Sequence, residues 1–151
     1  FIKSLNISKD DGLLLVGHGG LGSGNSSYGN LQFKLIREGL TNVRIAVLEN
    51  APYVADVAMP WEWLDGKRPN TIYVHPLLLV LGDHAQNDLF GDEEDSVINE
   101  LTDYGYEVKP IHSALGEYEA IQDIFRQHVQ DCIDDLYGKR STHRPTIPNI
   151  K

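Results

Sequence analysis

Two rhythms of apolar and polar positions alternate along this chain. Residues 13–16, Leu-Leu-Leu-Val, form a short unbroken apolar run that stops at the glycine-rich stretch Gly17-His18-Gly19-Gly20-Leu21-Gly22-Ser23-Gly24. A strand buried on both faces and running into a loop has this signature. From Asn25 to about Gly39 the apolar residues Tyr28, Leu31, Leu35 and Ile36 recur at helical spacing, with Gly39 where a C-terminal cap belongs. Residues 43–48 predict a second strand, ending at Glu49. A less regular helical segment is expected over about 53–64, with Pro60 beginning a new turn. Residues 71–80 predict the third and most apolar strand, interrupted by Pro76, and 82–91 a polar loop. Asp92-Glu93-Glu94-Asp95 then opens a helix running to about Tyr104, since acidic residues suit a first helical turn. Residues 107–111 predict a fourth strand. Residues 117–137 predict a long amphipathic helix with Ile121, Ile124, Phe125, Val129, Cys132, Ile133 and Leu136 on its apolar side. The remainder, with Pro145 and Pro148, has no periodicity, so one domain over 1–137 and an irregular tail over 138–151 are expected.

Strand and helix alternate four times. That order predicts an α/β fold: a doubly wound, four-stranded parallel sheet with helices on both faces. Ligands of such sheets bind at the carboxyl ends of the strands. His18 follows the first strand, Glu49 the second and His84, shortly after, the third. Two imidazoles and a carboxylate with coordination positions left open make a reactive divalent-metal site, suited to Fe, Co, Ni or Zn. The spacings, 31 and 35 residues, are too long for a local motif, and the same residues also read as a helix-capping glutamate and two ordinary loop histidines.

Gly17-His18-Gly19-Gly20-Leu21-Gly22 also matches the G-x-G-x-x-G pattern of dinucleotide-binding enzymes, with Glu49 as the ribose-binding acid. The 27 residues from Gly22 to Glu49 exceed the usual ~20, and residues 23–27 read as loop where the phosphate-binding helix should start. A Walker-type loop is excluded, because no Lys-Ser/Thr follows the glycines.

Composition narrows the partners. The chain has 151 residues and a net charge of −9, which disfavours non-specific binding to nucleic acid or an anionic membrane. Its single cysteine, Cys132, excludes an internal disulfide and a Cys-only zinc site, and permits a reducing, cytoplasmic setting, with an exported form left open. No apolar run approaches the ~18 residues of a membrane span, and no signal peptide is visible. The first residue is Phe rather than Met, so a fragment or processed chain is expected.

Residues 76–92 carry a more specific signal. The segment Pro-Leu-Leu-Leu-Val-Leu-Gly-Asp-His-Ala-Gln-Asn-Asp-Leu-Phe-Gly-Asp resembles one found in long-form anaerobic-type sirohydrochlorin cobaltochelatases. These are class II chelatases that insert Co²⁺ into a tetrapyrrole without ATP. Gly17-His18-Gly19, Asn25-x-x-Tyr28-x-x-Leu31, Val47-Leu48-Glu49 and Leu115-Gly116-Glu117 are similar to other family segments, so the resemblance covers about residues 13–136. It implies a flavodoxin-like, chelatase-like fold and a lyase of cobalamin- or sirohaem-type biosynthesis. It implies His18, Glu49 and His84 as metal ligands, His18 and His84 as catalytic bases, Co²⁺ or else Fe²⁺ as the metal substrate, and no nucleotide. Two departures stand out. Gly20, Leu21 and Gly22 replace the Thr and polar positions that commonly follow the family's Gly-His-Gly. Long-form members are also about twice this length, so the chain resembles their second half, and a homodimer or a missing first half is the expected partner. A non-catalytic metal- or tetrapyrrole-binding half-domain is the rival expectation.

A carboxylate-rich tetrapyrrole meeting a chain at −9 calls for neutral donors. Gly19, Ser26, Ser27 and Asn87 are the candidates, with His112 after the fourth strand as a further substrate contact. His75 reads as a packed strand residue, His128 and His143 as solvent-facing, and Trp61 and Trp63 as packing or a cleft rim. Tyr104 and Tyr106 read as structural.

Overall fold

Alternate residues of a strand face opposite ways, and here both sets are apolar, so the sheet is buried on both sides. A computed structural model of the chain describes residues 1–59 and 68–138. The expectations for Pro60, Trp61, Trp63, His143 and the tail beyond Gly138 lie outside the described residues. Strands β1 (Gly12–Gly19), β2 (Val43–Glu49), β3 (Thr71–Pro76) and β4 (Glu107–Pro110) pair in the order β2-β1-β3-β4, every pair parallel. This is the order of the first four strands of flavodoxin-like sheets, with the switch of direction between β1 and β3.

Leu14, Val16, Ala46, Ile72 and Val74 face one side. They are covered by Val54 and Ala58 of α2 (Val54–Ala58), Leu89 of α3 (Asp83–Phe90), and Val97 and Leu101 of α4 (Val97–Asp103). Leu13, Leu15, Val43 and Ile45 face the other side, under Leu35 of α1 (Ser26–Arg37) and an N-terminal segment including Phe1, Ile2 and Leu5. Tyr106 locks the first layer, its buried phenol donating to the Ala58 carbonyl, while Tyr104 donates to Glu100.

Three expectations need correction. The third strand stops at Pro76 instead of reaching residue 80. Pro76 has no N–H for the ladder, and Leu79 and Val80 are exposed beyond it. Residues 83–90, expected as loop, form α3, with Gly82 as extended N-cap and Asp83 in the first turn. Most of that helix is polar and, among its described side chains, Leu89 alone is fully buried, so helical periodicity is nearly absent from the sequence. The acidic run Asp92 to Asp95 consequently lies in turns between α3 and α4 rather than in α4.

The last helix, α5 (Glu119–Leu136), forms as expected but buries none of its residues. Its root is nonetheless fixed. Leu115 and Gly116 donate N–H groups to Leu78 and Leu79 at 2.8 and 2.9 Å. Inside, the fully buried His75 ring lies 2.7 Å by Nδ1 from the Pro76 carbonyl and 2.9 Å by Nε2 from the Tyr118 hydroxyl. A carbonyl can only accept, so Nδ1 carries the proton and Nε2 accepts from Tyr118. Phe1 packs its ring on both, at centroid distances of 5.2 and 5.1 Å.

Two glycines are fixed by packing at the end of β1. A Cβ on Gly17 would stand 2.5 Å from the Tyr28 ring. A Cβ on Gly19, where φ is +82°, would stand 2.1 Å from the Glu49 carbonyl oxygen. Gly19→Ala is therefore expected to lower unfolding free energy by ~2 kcal/mol or more through left-handed strain and the clash. Gly20→Ala, with nothing within 4 Å of its added carbon, should stay within ~0.5 kcal/mol of wild type. Urea unfolding of both variants checks the pair; equal effects would contradict the packing argument.

Burial holds the His75 imidazole below its ordinary pKa, although the Pro76 carbonyl and Glu117 pull it upward. The unfolded chain binds that proton near pH 6.5 and the folded chain only lower. The His75 contribution is therefore complete above about pH 6.5 and is lost as pH falls through the folded value. Urea unfolding at about pH 7.5 and pH 5 should show a smaller loss of stability in His75→Gln than in wild type. Identical losses would remove His75 from the acid sensitivity.

Candidate metal and ring site

Because the order is β2-β1-β3 and all strands are parallel, the residues following β1, β2 and β3 share one edge of the sheet. His18 is the penultimate residue of β1 and Glu49 the last of β2, with Gly19 in register with Glu49. The His18 Nδ1 and Glu49 Oε2 lie 4.0 Å apart, both side chains more than half exposed. His18 Nδ1 also lies 3.3 Å from the Gly19 carbonyl. In the tautomer that donates there, Nε2 presents its lone pair to an ion. His84 is the second residue of α3, in its first turn, and its side chain lies outside the described structure. Among the described residues, which exclude the His84 side chain, no three His, Cys, Asp or Glu side chains converge closely enough to hold an ion.

The position of Glu49 is set by neighbours that the sequence does not advertise. Asn25 Nδ2 donates to the carbonyls of Glu49 and Ala51, each at 3.0 Å. Asn50, in the left-handed region at φ 66°, donates from Nδ2 to the Gly20 carbonyl at 2.9 Å. The two asparagines stitch the loop after β1 to the loop after β2. Tyr28 completes the arrangement by filling the space over Gly17 and accepting the Gly19 N–H at 3.4 Å. Asn25 and Tyr28 were visible as pieces of a motif; Asn50 has no sequence signal beyond its suitability for left-handed backbone.

The same loop argues against a dinucleotide fingerprint. Gly17 and Gly19 make room for Tyr28 and for the Glu49 backbone, and α1 starts only at Ser26, after a 3₁₀ turn over Gly22–Asn25. Among the proposed substrate donors, the Gly19 N–H is directed to Tyr28 and the Ser27 hydroxyl to the Gly24 carbonyl at 2.9 Å. Ser26 and Asn87 are exposed.

Beyond β3 and β4, on the same edge, lies an open cavity of about 650 Å³. Leu79, Val80, Leu81, Gln86, His112 and Phe125 line it. His18 and Glu49 are not part of its wall. The first turn of α3, which carries His84, also supplies Gln86 to the cavity wall. His112 rests its ring on Phe90 at a centroid distance of 4.5 Å. The cavity accounts for the end of the apolar run beyond Pro76: Leu79, Val80 and Leu81 line it instead of extending the strand. Gln86 and Phe125 were missed, since their role depends on how α3 and α5 fold back on the loop.

Comparison with known proteins places the chain among the cobalt chelatases. The chain is 26% identical over 129 residues to a sirohydrochlorin cobaltochelatase of Salmonella typhimurium, covering 85% of this chain and 47% of that protein. It is 28% identical over 127 residues to the sirohydrochlorin cobaltochelatase CbiKC of Nitratidesulfovibrio vulgaris, covering 84% and 44% respectively. The chain thus spans about half the length of these curated relatives. Its fold is similar to that of a putative cobalamin (vitamin B12) biosynthesis CbiX protein from Marinobacter aquaeolei, with TM-score 0.66, 18% identity, and coverage of 84% of this chain and 98% of that one. The profile of the cobalt chelatase (CbiK) family matches residues 2–134, from the N-terminal segment to within α5: the chain belongs to the cobalt chelatase (CbiK) family.

Proposed function

We propose that the chain is a chelatase domain that delivers Co²⁺ to a tetrapyrrole without ATP, the ring being the sirohydrochlorin named in both curated relatives. The observation that carries this reading is the meeting of His18 and Glu49 at the strand ends, on the edge that also carries the start of α3 and an apolar cavity. His18, Glu49 and His84 hold the incoming ion. Two imidazoles with one carboxylate suit Co²⁺, with Fe²⁺ the next choice, and disfavour Mg²⁺, which prefers oxygen donors. Three protein ligands leave positions open, so the ion stays labile enough to be handed on.

Insertion requires two pyrrole N–H protons to leave as the metal enters. A neutral imidazole is the side chain best suited to accept them near neutral pH. His18 and His84 take that role in turn with ligation, while Glu49 offsets the charge of the ion. The apolar wall of Leu79, Val80 and Leu81 suits one flat face of the ring. Gln86, His112, Asn87 and Ser26 offer neutral donors to its carboxylates, a need set by the net charge of −9. A reducing cytoplasm fits the exposed thiol of Cys132. No helix among the described residues is long and apolar enough to cross a membrane.

Titration of Co²⁺ by visible absorption tests the ligand set. His18→Ala, Glu49→Gln and His84→Ala are each expected to weaken binding at least ~10-fold. Unchanged affinity in any one removes that residue from the site, and preferred binding of Mg²⁺ would contradict the imidazole-rich assignment.

An anaerobic insertion assay with sirohydrochlorin at saturating Co²⁺ tests the reaction. The wild type should form the cobalt complex, and His84→Ala should lower the rate by about 10²-fold. A chain that binds Co²⁺ but forms no complex would favour the non-catalytic half-domain.

A further inference from the structure

Positive charge is spread unevenly over the fold. Lys34 and Arg37 lie in the last turn of α1, Arg44 is the second residue of β2 and Arg68 precedes β3. In a parallel sheet these positions belong to the amino edge, opposite the site. Lys3 and Lys9 lie beside Leu13 and Val43, near the starts of β1 and β2. Lys109 of β4 is paired with Glu107. Among the described residues one Lys or Arg remains, Arg126, and it stands next to the cavity.

Gln122 and Phe125 of α5 belong to the cavity wall, as does Gly116. Gln122 donates from Nε2 to the Gly116 carbonyl at 2.9 Å, and Gly116 in turn donates its N–H to Leu79, another wall residue. Arg126 Nη2 donates to the Oε1 of the same Gln122 at 3.1 Å. The guanidinium is thus tied to the wall through a fixed amide. Its Nη1 donates to Asp123. A guanidinium carries five N–H donors, so these two bonds leave three for a ligand. The Asp123 pair competes little, since both partners are 61% exposed and exposed pairs are weak.

The acidic member of the wall is Glu117, whose Oε1 accepts the Ala114 N–H at 2.7 Å. A ligand carboxylate is repelled inside the cavity by Glu117 and attracted at the rim by Arg126. An apolar body is accepted by Leu79, Val80, Leu81 and Phe125 between them. The three features together sort a ligand into an apolar part placed inside and an anionic part placed at the α5 rim.

We infer that Arg126 is a specificity-determining residue of the cavity: it takes one peripheral carboxylate of the ring at the α5 rim while the apolar wall takes the ring body. The inference rests on the function proposed above and adds one cation to its neutral donors.

Titration of the full chain with two forms of the ring tests it, followed by the change in ring absorption. One probe is metal-free sirohydrochlorin; the other is the same ring with its carboxylates converted to primary amides, which keep the size and lose the charge. Arg126→Gln is expected to weaken binding of the acid at least ~5-fold and to leave the amide within ~2-fold. Asp123→Asn, which frees the guanidinium from its competing carboxylate, is expected to tighten the acid ~2-fold and not the amide; a gain of this kind does not come from a damaged fold. Acid affinity unchanged in both variants would overturn the inference and leave the proposed function standing. Equal weakening of acid and amide in Arg126→Gln would also overturn it, assigning Arg126 to the structure of α5. A wild type that binds neither ring would overturn the proposed function and the inference with it.

Discussion

The backbones of Gly19 and Glu49 approach so closely that no side chain fits between them: a Cβ on Gly19 would meet the Glu49 carbonyl oxygen at 2.1 Å. Much of the site follows from that contact. It keeps β1 and β2 paired to their last residues, where parallel strands usually diverge into loops. His18 and Glu49 then leave adjacent strand ends with 4.0 Å between their polar atoms. Asn25 and Asn50 tie the two following loops together around the same point, and Tyr28 packs beneath it against Gly17. The glycines of the Gly-His-Gly segment are thus packing devices that hold a histidine at the sheet edge.

Where the sequence was legible, one physical rule dominated a segment. Leu13 to Val16 and Ile45 to Val47 are buried on both faces and read as unbroken apolar runs; α1 and α5 carry clear helical periodicity. Legibility failed around Pro76, where two rules competed. Apolar character predicted a longer strand, but the missing N–H of Pro76 ends the ladder there and the following leucines line a cavity. It failed again over α3, where Leu89, the one fully buried residue among the described side chains, leaves no period to read. His18 and Glu49 could be placed from topology alone, as residues that follow adjacent strands. Asn50 and Gln86 could not, because a local sequence holds no record of which distant loop will lie beside it.

A half-length chain poses its own physical problem. The flat macrocycle proposed above as substrate has two faces, and the wall formed by Leu79, Val80 and Leu81 would cover one. Helix α5 carries exposed apolar side chains from Phe125, in the cavity wall, outward to Leu136. Folding stability does not require that stripe to be apolar, since α5 contributes no buried residue to either core layer.

The function proposed above depends on one ion shared by His18 and Glu49, at the ends of β1 and β2, and by His84 of α3. X-ray absorption at the cobalt edge, on the chain loaded with one equivalent of Co²⁺, tests this most directly. The account predicts multiple-scattering features of two imidazoles together with a carboxylate oxygen in the first coordination sphere, and loss of one imidazole in His84→Ala. A sphere of oxygen ligands without imidazole, or a spectrum unchanged by that substitution, would contradict it.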